Sequence, residues 1–339
     1  MLNNGKKNLA YLFFQNTLFN GEVQLLKNRY NVYYPKRFTN MKAGPEILDD
    51  KELLTDPILD EFDFFHGGVN EEIFQRMDRL FDIIMLPVIN YDLVSKLLNS
   101  FKGKVYIRYF GKLDNGNYES HLIHTKTIDP FLQSKNSFLL SAYKRILNYE
   151  SKRIQDKSLF LPLPLHRKIL PLKNSWNGEK KKIMFVCSFI MKISYYKEKF
   201  DEFVNNFGSF DYNIFGRQTI PLENNKLISN LSDEDFYNSM RDYAVLVCTS
   251  RETIHVHYHP IEAIYVGLPV IYFKNFLLDA LIGGSQYASC QNFNEMREKV
   301  TRILNGDKEF IKNVIEENQR CLTHFTDEYY MQILDSMNL

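Results

Sequence analysis

No stretch of this 339-residue chain is apolar for long enough to cross a bilayer. Its longest runs, such as Ile183–Val186 and Val245–Cys248, are strand-sized, against the roughly 20 residues that a spanning helix needs. Cysteine is scarce. The four, at 187, 248, 290 and 321, show no CxxC or metal-ligand spacing, so free thiols are expected, two of them inside buried strands. An excess of one charge is missing too: 42 basic and 41 acidic residues leave a net +1, and no basic stripe or aromatic RNA-binding motif argues for a nucleic-acid partner. Met1–Lys7 is polar, and Leu9–Phe14 is too short and lacks the small-residue cleavage pattern of a secretory signal, so a cytoplasmic protein is expected. The aromatic and basic residues of Asn3–Lys7 and Tyr30–Arg37 leave open a peripheral contact at the inner face of the membrane. There is no internal repeat, and the abundance of Asn, Lys, Ile, Tyr and Phe is a compositional habit rather than low complexity.

What is present is a globular composition, 45% hydrophobic and 24% charged, in a chain too long for one core and suited to two domains. The C-terminal half alternates apolar runs with helical patterns, which specifies a parallel sheet covered by helices. Ile183–Ser188 reads as a strand buried on both faces, Tyr195–Phe207 as a helix closed by Gly208, and Asp211–Phe215 as a second strand. Ser232, with Asp235 three residues on, opens a helix through Phe236 and Met240, and Tyr243–Thr249 is the next strand. Pro260 then suits the first turn of a helix that Gly267 and Pro269 end, before a strand at Val270–Phe273. Helices follow at Asn294–Leu304, Asp307–Asn318 and Asp327–Met337.

The N-terminal half repeats the alternation, with strands expected at Asn8–Phe13, Tyr30–Tyr34, Phe62–Phe65, Ile83–Leu86, Val105–Tyr109 and Leu159–Pro162. Pro171, Asn174, Ser175 and Gly178 mark a linker. The expected division is 1–174, 175–325, and a terminal helix, 326–339, packing back toward the first domain.

Open α/β sheets bind ligands beyond the carboxyl ends of their strands. That rule nominates Ser188, Arg217 and Thr249–Glu252, which follow strands, with Lys192 nearby and His259–Glu262 at a helix start. The N–H groups and positive end of that helix can hold a diphosphate, with Arg217, Lys192 or Arg251 as a charged clamp. Glu262 can accept hydrogen bonds from ribose hydroxyls.

The segment Pro260-Ile261-Glu262-Ala263, followed by Gly267-Leu268-Pro269-Val270-Ile271, resembles the donor site of GT-B glycosyltransferases. The resemblance covers about Lys182–Phe273 and implies two Rossmann-like domains facing across a cleft, with the nucleotide sugar bound in the C-terminal one. It implies a hexosyltransferase-like enzyme passing sugar to a saccharide or lipid-linked acceptor in surface polysaccharide or glycan synthesis. Glu262 would bind the ribose, and Ser188, Lys192, Arg217, Arg251, Glu252 and His259 would complete the donor site. No metal or other cofactor is implied, since helix dipole and basic side chains stabilise the leaving diphosphate.

Many relatives carry a second Glu at the position where Ile254 stands here; the nearest acid is Glu252. The segment Arg251–His259 replaces their glycine-rich loop. His259-Pro260 is also similar to the His-Pro motif of transferases that use CMP-activated sialic acid or Kdo. A sugar-nucleotide epimerase and a binding module without turnover are further alternatives. The acceptor and base are expected from the N-terminal domain: His66, at a strand end before Gly67-Gly68, is the first choice, with Asp63 and Asp114–Glu119 as further candidates and Arg108–Lys112 as acceptor contacts. Against each nomination stands a plainer reading: Glu262 as a first-turn acid favoured by the dipole, and His255, His257 and His259 as hydrogen-bonding loop residues rather than metal ligands.

Overall fold

Apolar runs bounded by turn residues become twelve strands in two parallel sheets in the computed structural model. It describes residues 5–13, 19–36, 52–88, 90–111, 116–229, 231–255 and 257–337. The chain divides into one unit of Met1–His166 with Phe325–Leu339, and a second of Arg167–His324.

The first unit holds β1 (Asn8–Tyr11), β2 (Asn31–Tyr33), β3 (Ile83–Leu86), β4 (Lys104–Tyr109), β5 (Ser137–Ser141) and β6 (Ser158–Phe160). Their order is β2-β1-β3-β4-β5-β6, and every pairing is parallel. Among its helices, α1 (Glu71–Leu80) and α2 (Tyr91–Ser100) start on Asn70 and Asn90, whose side chains accept from the N–H groups of Ile73 and Leu93.

Two features depart from the expected strands. Phe62–Phe65 lies in a turn, because the Asp63 carboxylate accepts from the N–H groups of Phe65 and His66 and the Asp63 carbonyl from Gly67. β5 carries serine at both ends, which dilutes the apolar signal; Ser137 and Ser141 are buried only because their hydroxyls donate to the carbonyls of Phe131 and Tyr143.

Arg108, expected at a ligand contact, is instead buried in this unit's core. Its guanidinium lies 2.9 Å from Glu22 and donates to the carbonyls of Leu161 and Pro162 at 2.6 and 2.8 Å. Glu22 also accepts from the hydroxyls of Tyr11 and Tyr330. Tyr330 belongs to the last helix, Asp327–Ser336, so this network ties the C-terminal helix to β1 and β4.

The second unit holds β7 (Lys180–Val186), β8 (Tyr212–Phe215), β9 (Leu227–Ile228), β10 (Tyr243–Cys248), β11 (Val270–Phe273) and β12 (Ser289–Cys290). Their order, β12-β11-β10-β7-β8-β9, reverses between β7 and β10. Its longer helices are α3 (Ser194–Phe207), α4 (Asp233–Asp242), α5 (His259–Val266), α6 (Phe293–Leu304) and α7 (Lys308–Asn318). The division falls at 166/167 rather than 174/175 because the expected linker is bonded into this unit. Asn174 and Trp176 donate backbone bonds to Tyr265 and Val266, and the Trp176 indole donates to the Tyr243 carbonyl at 2.7 Å. Among the described residues no helix is long and apolar enough to cross a membrane.

Removing one partner of a buried ion pair strands the other, so Glu22→Gln is expected to destabilise the first unit by about 3–5 kcal/mol. Tyr330→Phe is expected to cost about 1–3 kcal/mol, the loss of one bond to a charged group. Urea unfolding measures both; losses below about 1 kcal/mol for each would show that the network does not anchor the last helix.

Candidate functional site

Helix α5 is short because its ends are written into the sequence. Pro260 occupies the first turn and Gly267, at φ 93°, closes the helix in the left-handed region. Its body is buried: Pro260, Ile261, Glu262, Ala263, Ile264 and Val266 are all inaccessible. The Glu262 carboxylate accepts from the Tyr237 hydroxyl of α4 at 2.9 Å. Burial, opposed by that bond and reinforced by Asp233, pushes its pKa up to about 8. The Glu262 N–H makes the ordinary first helical bond to the Tyr258 carbonyl at 3.2 Å, the Ile261 N–H donates to the same carbonyl at 3.0 Å, and Pro260 has none. The start of this helix therefore has fewer N–H groups to offer an anion than its position predicts.

Where the strand order reverses, a cavity of about 80 Å³ opens beyond the carboxyl ends of β7 and β10. Cys187 and Ser188 follow β7 into its wall, Cys248–Ser250 close β10, and Tyr195, Tyr196 and Lys199 come from α3. The chain after β8 presses against this wall: Gly216 sits at φ 134°, and a Cβ there would come within 2.7 Å of the Ser188 hydroxyl. Only glycine fits that approach.

His257 and His259 complete the lining. Their rings stack at 5.6 Å, and His255 meets His257 edge-on at 5.0 Å. Burial holds His259 down to about 3. Burial first, then His255, His259 and Lys199, holds His257 well below its ordinary value, so both imidazoles are neutral. Among the described residues no group of three His, Cys, Asp or Glu side chains is placed to hold a metal ion.

The nominated residues separate into groups. Ser188 and His259 line the cavity, and Glu262 is buried on α5, outside its lining. Glu252 is buried with one oxygen accepting from the Tyr195 hydroxyl and the other unpartnered; burial pushes it up to about 7. Arg251 pairs with Glu202 at 3.1 Å and lies over the rings of Phe273 and Phe293, at 4.3 and 5.1 Å. Lys192 and Arg217 are exposed on the loops after β7 and β8. His66 lies in the first unit, on the Asp63 turn, with Nδ1 3.4 Å from the Asp63 carboxylate. Asp114 lies outside the described residues. Tyr195, Tyr196 and Lys199 are cavity residues that sequence reasoning passes over. Their signal is position alone, in the first turns of the helix after the first strand of the unit.

No family model matches the chain, and no curated protein matches its sequence. Solved structures match its fold. Anabaena HepE, solved with UDP-glucose, superposes with a TM-score of 0.64 at 10% identity over 98% of this chain and 99% of its own. A glycosyltransferase from Rickettsia africae gives 0.64 at 12% identity over 98% and 97%. The fold is GT-B. Staphylococcus aureus TarM, a mutant of which was solved with UDP, fondaparinux and a GlcNAc-glycerol, gives 0.54 at 13% identity over 75% of this chain; that match spans 55% of TarM. In a GT-B chain of this kind, the doubly wound second unit supplies the strand-order reversal at which the cavity lies.

The Glu262 proton gives the fold a measurable pH signature. The folded chain keeps that proton up to about pH 8, whereas the unfolded chain loses it near 4.5. Between those values unfolding releases protons, so stability falls as the pH rises through the window and is unaffected by Glu262 below it. Glu262→Gln is expected to melt like wild type near pH 4.5 and to be more stable at pH 8, by about 2–5 kcal/mol. A variant less stable than wild type at pH 8 would show that the carboxylate is held charged.

Proposed function

We propose that this chain is a glycosyltransferase that takes its sugar from a nucleotide-sugar donor bound by the second unit. The observation that carries the reading is the cavity at the β7/β10 reversal, with Glu262 buried on the adjoining helix. Ligands of open α/β sheets settle at such a reversal, and HepE, of the same fold, was solved with UDP-glucose.

In this reading Glu262 accepts hydrogen bonds from the ribose hydroxyls, and binding exchanges its Tyr237 partner for the donor. Ser188, Thr249 and Lys199 face the diphosphate from the cavity wall. Lys192 and Arg217, exposed beside it, fold onto the phosphates when the donor binds, while Glu252 meets the sugar. Stabilising the negative charge of the leaving diphosphate with these cationic side chains is the main catalytic contribution, and it needs no bound metal. The acceptor is a saccharide or a lipid-linked saccharide, used in surface glycan synthesis on the cytoplasmic side of the membrane. Asp63 orients His66 through Nδ1, which makes His66 the candidate base for the acceptor hydroxyl.

A thermal-shift screen against UDP, GDP, ADP, TDP, CMP and their sugars tests the donor site. One nucleotide is expected to raise the melting temperature of the wild type and not that of Glu262→Ala. A CMP response would move the reading to a sialic acid- or Kdo-type donor, with His259 at the phosphate. No response from folded protein would sink it. For the acceptor side, His66→Ala is expected to lower kcat about 10²–10⁴-fold without changing nucleotide affinity; an unchanged kcat removes His66 as the base.

A further inference from the structure

A diphosphate must be met by positive charge or by N–H donors, and the cavity has little of either in fixed form. Of the N–H groups that a helix leaves unpaired at its start, Pro260 has none and that of Ile261 is given to Tyr258. Arg251 is turned to Glu202 and two aromatic rings. Of the described lining residues, Lys199 alone carries a permanent positive charge, and Glu202 lies 3.4 Å from it.

We propose that His257 and His259 supply the missing charge by taking up one proton between them when the donor's diphosphate enters the cavity. This deepens the donor-site reading above and rests on it. The two rings are stacked on the cavity wall at 5.6 Å. Facing His257 from α3 are Tyr195 and Tyr196, with ring centres at 6.4 and 6.0 Å, and Lys199. Cys187 and Cys248 line the same wall from the ends of β7 and β10, and His255 and His259 flank it on its own segment. Glu252 bonds the Tyr195 hydroxyl, and no carboxylate is among the described lining residues.

A histidine beside a carboxylate would already be charged. These two have no carboxylate in the described wall; burial keeps both neutral, joined at His257 by His255, His259 and Lys199. A diphosphate provides the counter-charge that the wall lacks and raises their affinity for a proton. Two imidazoliums stacked 5.6 Å apart beside Lys199 would repel, which limits the uptake to one proton. The pair then holds the diphosphate by charge-assisted hydrogen bonds, and donor affinity increases as the pH falls.

The test uses the full chain with UDP-glucose and, in parallel, whichever other nucleotide sugar gives the largest thermal shift. Their diphosphate diesters do not titrate near neutrality, so protons counted belong to the protein. Calorimetry between pH 6 and 8, in buffers of different ionisation enthalpy, is run on wild type and on the double variant His257→Gln/His259→Gln. Glu252 and Glu262 are kept in both, so the difference reads the two histidines. Wild type is expected to take up about one proton more than the double variant and to weaken up to about tenfold more per unit rise in pH. In wild type with ¹³Cε1-labelled histidine, two resonances should move together toward the imidazolium position on binding, a readout that needs no variant. Binding with unmoved resonances and equal proton counts would overturn this inference and leave the donor site standing. No binding by any nucleotide sugar would overturn both.

Discussion

A parallel sheet whose strand order reverses cannot cover its own carboxyl edge at the point of reversal. In the second unit the chain leaves β7 toward β8 on one side, and β10 takes the place on the other. The connections after these two neighbours diverge, and the gap between them is geometric before it is chemical. What fills it is whatever follows each strand: Cys187, Ser188 and helix α3 after β7, and Thr249, Ser250, His257 and His259 after β10. The cavity's chemistry is thus fixed by two short pieces of sequence lying about sixty residues apart, brought together by pairing such as Leu246 with Met184.

The two units treat buried charge in opposite ways, and the contrast separates framework from site. In the first, Arg108 and Glu22 are buried together, and two tyrosine hydroxyls and two backbone carbonyls complete the set of hydrogen bonds. Such a pair contributes little over an apolar core of the same shape, but it fixes which elements meet. In the second, Glu252 and Glu262 are buried, and His257 and His259 half-buried, without an opposite charge. Each is driven toward its neutral form, and one Glu252 oxygen has no hydrogen-bond partner. A fold gains nothing from that arrangement unless something else completes it, so unpartnered burial at a strand-order reversal argues for a ligand.

Much of this was legible where one physical effect dominated. β3 and β11 have their boundaries where the sequence places them, since four consecutive buried apolar residues between turn residues allow little else. Pro260 and Gly267 mark the ends of α5 for the same reason. Reading failed where effects competed. Phe62–Phe65 is apolar enough for a strand, but Asp63 offers the backbone a turn. Serines hide β5, because a buried hydroxyl that bonds a carbonyl looks polar in sequence and is not so in place. Arg108 and Arg251 follow the pattern of cleft cations, yet one is consumed by Glu22 and the other by Glu202 and two rings. Sequence position puts an arginine at a strand end; only the partners decide whether its charge is spent inside.

The segment between β10 and α5 shows how one change of backbone chemistry propagates. A glycine-rich connection would present N–H groups, which bind an anion with a strength that does not depend on pH. Here Tyr258 draws the Ile261 N–H onto its own carbonyl, and Pro260 removes another. What the backbone no longer offers must come from side chains, and those on the cavity wall are Lys199 and two half-buried, stacked histidines. Moving anion recognition from peptide N–H to imidazole makes it titratable. The consequence follows from the connection's composition alone: a site of this kind is weak toward phosphate when its histidines stay neutral and strong when an arriving anion brings a proton with it.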